Sequence, residues 1–268
     1  MLFFHSLLRE RRSWAPVWSP QGRFKSQLKQ IDQLVYDEIQ QRRKQLLDPS
    51  HIDILSLLLT ARDEAGQPMT DVEIRDELIT LLATGYETTP SALTWALYWI
   101  HQLPVVHDKL LKELNTLAQD SDPSEITRLP YLTAVCQETL RIYPLAIITF
   151  PRILKSSFNL MGYQFEADTV LLPSPYLTHH REELYPEPKQ FRPERFLERQ
   201  FSPYEYLPFG GGNRRCIGMV LAQIMMKLVL ATILSRWKLT LADSRPVKPV
   251  RHGVTVAPPG NMRMILMH

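Results

Sequence analysis

Apolar positions along the chain recur mostly at helical spacing. Between Phe24 and Leu46 they fall at Phe24, Leu28, Ile31, Val35, Ile39 and Leu46 with charges between them, the period of a surface helix facing a core. Thr70, followed three residues later by Glu73, predicts a capping box that opens a helix through Ile74, Leu78, Leu81 and Leu82 toward Gly85. The apolar stretch from Pro90 to about Gln102 predicts one of two things: a new helix with Thr89 as N-cap and Pro90 in first position, or one long helix bent at the proline. A charged helix from about Val105 to Ala118 follows. Pro130 fits the first turn of a helix YLTAVCQETLRIY, which must end before Pro144, because the residue ahead of a proline is pushed out of the α region.

Extended segments come next: FNLMGYQF with a turn at Gly162, VLLP ending at Pro173, and GVTVAPPGNMRMIL, read as a closing β hairpin. Tyr185 to Pro208 is rich in proline and aromatics, irregular but packed. The run Cys216 to Leu234 is nearly all apolar and long enough to span a membrane. Gln223 and Lys227 lie four residues apart on one of its faces, so the expectation is a core helix with a thin wet stripe. Without repeats or a low-complexity linker, the fold expected is mainly α with minor β, in a single domain over residues 1–268.

Composition narrows the function. A chain of 268 residues, 44% hydrophobic and 22% charged, buries a substantial core. A net charge of +3 without a Lys/Arg stripe excludes the nucleic-acid class. Two cysteines make no disulfide framework and fit a reducing compartment, and the apolar part of MLFFHSLLRERR is too short for a signal peptide or a spanning helix. The expectation is a cytoplasmic protein with no membrane span.

Candidate chemistry concentrates in LPFGGGNRRCIGMVLA, residues 207 to 222, where a thiol sits between a glycine loop and an apolar helix. A helix N-terminus, with Arg214 and Arg215 beside it, favours the thiolate. Cys216 could serve as a nucleophile, a zinc ligand or an axial ligand to haem iron. No second Cys or His stands at metal-site spacing from it, which rejects zinc; eight histidines leave a nucleophile–base pairing open. The glycines lack the following Lys-Ser/Thr of a phosphate loop. A structural cysteine would leave Gly210, Gly211 and Gly212 unexplained, whereas a haem ligand explains them. Side-chain-free backbone can approach a flat macrocycle and aim N–H groups at the sulfur, and Arg214 can reach a propionate.

Phe209, Gly212, Arg214, Cys216 and Gly218 match the FxxGxRxCxG haem signature of the cytochrome P450 family position for position, and the chain resembles that family. Glu138 and Arg141 in ETLR, which alone read as an ordinary i,i+3 pair, resemble its ExxR. Phe191, Pro193, Arg195 and Phe196 in FRPERF resemble the partner motif. The resemblance implies a buried network of Glu138, Arg141 and Arg195 supporting the haem-binding core. ATGYETTPS, residues 83 to 91, resembles the oxygen-activation motif, with Glu87 and Thr88 as the acid–alcohol pair of proton delivery. It departs from that motif at Thr84, where Ala or Gly is usual, and in the Pro90 that follows the second Thr. In a long helix the Thr88 hydroxyl can turn to the carbonyl of Thr84, and Pro90 cannot bond the carbonyl of Tyr86, so a groove would open there.

Arg152 aligns with a propionate-binding position, and Leu145 to Phe150 with Val254 and Thr255 resemble substrate-contact regions. Cys136, on the face of Leu132, Val135 and Thr139, reads as core; His179 and His180 read as loop or surface residues.

The resemblance, closest in flavour to bacterial and cyanobacterial members, covers nearly all of the chain. It implies the C-terminal part of a P450 fold, with the N-terminal portion absent and Met1 beginning inside a lid helix. The activity implied is a haem-thiolate monooxygenase. Such an enzyme holds haem b through Cys216, takes electrons from a ferredoxin or flavoprotein reductase, activates O2 and oxidises a small apolar substrate. Arg214, Arg215 and Lys227 are candidates to meet an acidic electron donor. The alternatives are a truncated P450-like protein without turnover and, more weakly, a cysteine hydrolase.

Overall fold

A computed structural model describes residues 19–45, 53–118, 121–243, 245–252 and 255–267. The N-terminal MLFFHSLLRERR and Val254 lie outside the described residues. The chain divides into two compact units, with the boundary between Thr84 and Gly85.

The first unit contains α1 (Pro20–Lys44) and α2 (Ile54–Thr60) and begins α3 (Asp71–Gln102). Its core is Ile39, Leu55, Leu59 and Ile74. Of the predicted stripe on α1, Ile39 is fully buried while Phe24 and Ile31 stay exposed. Polar ties supplement this small core. Asp53 caps α2 by accepting from the Ser56 N–H at 2.7 Å and pairs with Arg42 Nη1 at 2.6 Å. The Arg42 bond first, then those from Ser56, holds the Asp53 carboxyl well below the usual carboxylate range. The capping box is present: the Thr70 N–H donates to Glu73 Oε2 at 2.8 Å, and the Glu73 N–H to Thr70 Oγ1 at 3.3 Å.

Of the two readings at Pro90, the single helix is found. Helix α3 runs unbroken across the proline, which leaves the Tyr86 carbonyl without its i+4 amide donor.

The second unit packs the last turns of α3, α4 (Pro104–Leu114), α5 (Pro123–Arg128), α6 (Pro130–Ile142) and a long helix (Met219–Arg236) around one core. Ala92, Ala96 and Ile100 meet Leu110, Leu132, Val135, Leu140, Met226 and Leu230 there. Helix α6 ends before Pro144, as the pattern predicts. Its N-cap, Leu129, offers no side-chain acceptor, so the carboxylate of Glu113 on α4 takes over, accepting from the N–H groups of Tyr131 at 2.7 Å and Leu132 at 2.8 Å. A negative charge at a helix N-terminus is also favoured by the macrodipole. Glu113→Ala is expected to lower stability by about 1–2 kcal/mol, read from the urea midpoint, because two amide donors lose a charged acceptor.

Short antiparallel pairs decorate this unit. β1 (Arg152–Ile153) pairs with β4 (Val170–Leu171), and β2 (Phe158–Leu160) with β3 (Tyr163–Phe165). The second pair turns through Met161 and Gly162, both at positive φ, the geometry of a two-residue hairpin loop. Two short helices follow, α7 (Pro175–His179) and α8 (Arg195–Glu198), and then the long helix, α9. Among the described residues the predicted closing hairpin is not formed. β6 (Val250–His252) takes β7 (Thr255–Ala257), and β5 (Lys238–Leu241) takes β8 (Met264–Met267). Pro258 and Pro259 carry no amide donor to continue a ladder, so the strands on either side find other partners.

Helix α9 also departs from expectation. It buries Met226, Leu230, Ala231 and Leu234 but exposes Val220, Leu221, Ile224 and Met225. It is also long and apolar enough to cross a membrane by length and composition. The expected wet stripe is drier: Lys227 is half-buried, its Nζ donates to the Thr127 carbonyl at 2.8 Å, and burial lowers its pKa.

Candidate functional site

The site is organised around α6. Glu138 and Arg141 stand one turn apart on it, both fully buried, with Arg141 Nε at 2.6 Å from Glu138 Oε2 and Nη2 at 2.9 Å from Oε1. Arg195 opens α8 and brings Nε to 3.1 Å from Glu138 Oε1, and the Arg192 backbone N–H adds a bond at 2.8 Å. The guanidiniums then hold the irregular segment by its carbonyls. Arg141 donates to His179, Pro188 and Gln190, and Arg195 to Pro186 and Gln190. The network expected of Glu138, Arg141 and Arg195 is therefore present, and it explains how a proline-rich stretch without regular structure stays packed: charged donors replace the missing ladder.

The cysteine loop is anchored at both ends. Phe209 packs against the core, and its carbonyl accepts the Cys216 N–H at 2.9 Å. Gly210 and Gly212 take φ of +68° and +62°, a left-handed conformation that side chains resist, so two glycines are required by the backbone path. A Cβ at Gly211 or Gly212 would meet nothing within 4 Å, whereas one at Gly218 would lie 3.8 Å from Cys216 Sγ. Cys216 is exposed and lies two residues ahead of the α9 N-cap, Gly218. Cys136 is buried in the core and its thiol is pushed up to about 12 by burial, as a structural cysteine should be.

Around the loop, a cavity of about 300 Å³ is lined by Arg152, Thr149, Pro173, Leu207, Gly211 and Gly212, among others. It brings together two residues expected to contact a cofactor, Arg152 and Gly212. Arg152 Nη1 donates to the Phe150 carbonyl at 2.9 Å. Arg214 lies over the Phe150 ring at 5.6 Å, and Arg215 reaches Met219 Sδ at 2.9 Å. Lys227 belongs to a different environment, turned into the protein against Thr127. Val256, next to the expected substrate-contact residue Thr255, donates its N–H to the Leu145 carbonyl at 2.8 Å, and within the other expected segment Ile147, Ile148 and Phe150 are exposed. Glu87 is exposed and Thr88 half-buried on α3, and Thr84 spends its hydroxyl on the Thr80 carbonyl one turn back, at 2.7 Å.

One expectation is corrected. His179 is not a surface residue: it is fully buried, with its pKa pushed down to about 3, by burial first and then by the neighbouring Arg141 and His180 charges. Its neighbour in sequence gave no signal, because a THH run before a charged segment carries no apolar period.

Compared with known proteins, the family model for Cytochrome P450 matches residues 3–265. A protein of Mycobacterium bovis named for cytochrome P450 135B1 is 36% identical over 253 residues, covering 94% of this chain and 51% of the relative. A Mycobacterium tuberculosis relative named for cytochrome P450 139 is 33% identical over 243 residues, 88% of this chain and 55% of its own. Among solved structures, a cytochrome P450 (CYP102L1) superposes with a TM-score of 0.83 at 26% identity, and the retinoic-acid-bound cyanobacterial CYP120A1 with 0.82 at 28%; each match covers 98% of this chain and 62% of the other. The chain belongs to the cytochrome P450 family, and its fold is that of the family. It spans about half the length of the curated relatives it matches.

Membership implies haem iron with a thiolate ligand, and the residues present fit that group. One exposed sulfur stands beside a glycine run whose outer face carries no side chain, and Arg152 flanks the adjoining cavity as a cation suited to a carboxylate.

Proposed function

We propose that this chain is the haem-binding portion of a monooxygenase that inserts one oxygen atom of O2 into a small apolar organic substrate. The observation that carries the reading is the exposed Cys216 on a loop closed by its own N–H to Phe209, with glycines at positive φ between them. Haem, when bound, supplies the oxygen chemistry: RH, O2, two electrons and two protons give ROH and water.

The chain's residues serve that group. Cys216 would hold the iron through its thiolate, and the bond from the Cys216 N–H to the Phe209 carbonyl would keep the loop that carries the sulfur in place. Arg152 and Arg214 would hold the propionates, Gly212 and Gly218 would add no side chain beside the group, and Phe209 fastens the loop to the core. Thr88 Oγ1 and the Glu87 carboxylate hold and pass protons, the exposed carboxylate exchanging with water. Arg214 and Arg215 meet an acidic ferredoxin or flavoprotein donor. Retinoic acid on the cyanobacterial neighbour supports an apolar substrate.

A second reading, a family member without turnover, is favoured by Thr84, which departs from the oxygen-activation motif where Ala or Gly is usual. Haem-supplied, reduced protein treated with CO separates outcomes. The shifted Soret band of a thiolate-bound haem is expected; a folded chain that takes up no haem, or shows only the unshifted band, sinks the first reading.

A further inference from the structure

His179 closes α7 between two backbone groups that belong to different parts of the site. Its Nδ1 lies 3.2 Å from the carbonyl oxygen of Arg141, in the last turn of α6, and its Nε2 lies 3.0 Å from the backbone nitrogen of Leu207. An amide only donates and a carbonyl only accepts, so the ring's roles follow: Nδ1 carries the proton and Nε2 is bare. The ring is stacked with Tyr206 at 5.5 Å and meets the edge of Tyr185 at 6.0 Å. Burial and the adjacent Arg141 guanidinium oppose a second proton.

Leu207 is the first residue of the cysteine loop's approach. Its carbonyl accepts the Gly210 N–H at 3.0 Å, and two residues onward the Phe209 carbonyl receives the Cys216 N–H. One residue earlier, Tyr206 Oη donates to the Gln137 carbonyl on α6 at 3.1 Å. A continuous line of bonds therefore runs from the Glu138–Arg141 helix through His179 to the strand of chain that presents Cys216.

We propose that His179 is a positioning residue: as a neutral imidazole protonated at Nδ1, it ties Leu207 to the C-terminal end of α6 and so sets the loop that holds Cys216. Its functional meaning rests on the haem-thiolate reading; the tie itself does not. Two neighbouring contacts act in parallel, the Tyr206 hydroxyl on Gln137 and the Arg141 guanidinium on the His179 carbonyl, and neither gives Leu207 N–H an acceptor.

The test is amide hydrogen exchange on the full chain, comparing wild type with H179L and H179Q. In H179L the segment 203–218 is expected to exchange about tenfold faster or more, while 130–142 changes by less than about twofold. H179Q, whose amide both donates and accepts, should recover part of the protection. Equal acceleration of both segments, or none, overturns the proposal. If H179L does not fold, nitrogen-15 shifts of His179 in the wild type decide: Nδ1 protonated with Nε2 bare upholds the tie, and the opposite tautomer or a cation at neutral pH overturns it. In haem-loaded protein, H179L should lose at least half of the thiolate-type CO band, and an unchanged band overturns the positioning role. A wild type without that band refutes the haem reading and leaves the exchange result standing.

Discussion

Replacing Cys216 by His is expected to abolish the shifted Soret band of the reduced, CO-treated chain, even where haem still binds. The expected loss is complete because the shift reports the charge of the sulfur and an imidazole nitrogen cannot supply it. Cys136→Ser is the matched control. Both substitutions remove one sulfur, but Cys136 is buried in the core with its thiol pushed up to about 12, while Cys216 is exposed on the glycine loop. C136S should keep the band at some cost in stability, read as a lower urea midpoint. Retention of the band in C216H, or its loss in a folded C136S, would assign the ligand wrongly.

Glu138→Ala is expected to cost about 3–5 kcal/mol, a large share of the stability of an ordinary domain, because it leaves Arg141 and Arg195 buried with their charges unpaired. Equilibrium urea unfolding reads the effect directly. Replacing whole buried ion networks by apolar residues is often harmless elsewhere. Here it should not rescue. Arg141 also donates to the carbonyls of His179, Pro188 and Gln190, and Arg195 to Pro186, so an apolar triple variant strips the acceptors along the irregular segment of their donors. The triple variant is therefore expected to be no more stable than Glu138→Ala. A triple variant as stable as wild type would show that those carbonyls find other partners.

The local signals were legible where one physical rule acts alone. Thr70 and Glu73 announce a helix start because both halves of the capping box lie within one turn, and Pro144 marks the end of α6 for a steric reason confined to two residues. The Glu138–Arg141 pair was legible only with the cysteine loop beside it, since spacing alone describes an exposed pair as well as a buried one. Long-range choices were not legible. Whether Pro90 starts a helix or interrupts one is not decided by the residues beside it, since both readings place the same helical residues after it, and the partners of β7 and β8 lie at different distances along the chain. His179 was misread for the same reason: its two partners stand 38 and 28 residues away, beyond any periodicity.

The bond from Cys216 N–H to the Phe209 carbonyl makes the length of the intervening segment a fixed quantity. Six residues, Gly210 to Arg215, span it, with two left-handed glycines and one short 3₁₀ turn among them. Removing one residue would force either that bond to break or α9 to start one position later, which rotates every side chain on the helix by about 100°. Met226 and Leu230 would then leave the core as the register slipped. Substitutions can be absorbed locally at many of these six positions, but an insertion or deletion is transmitted along eighteen residues of helix.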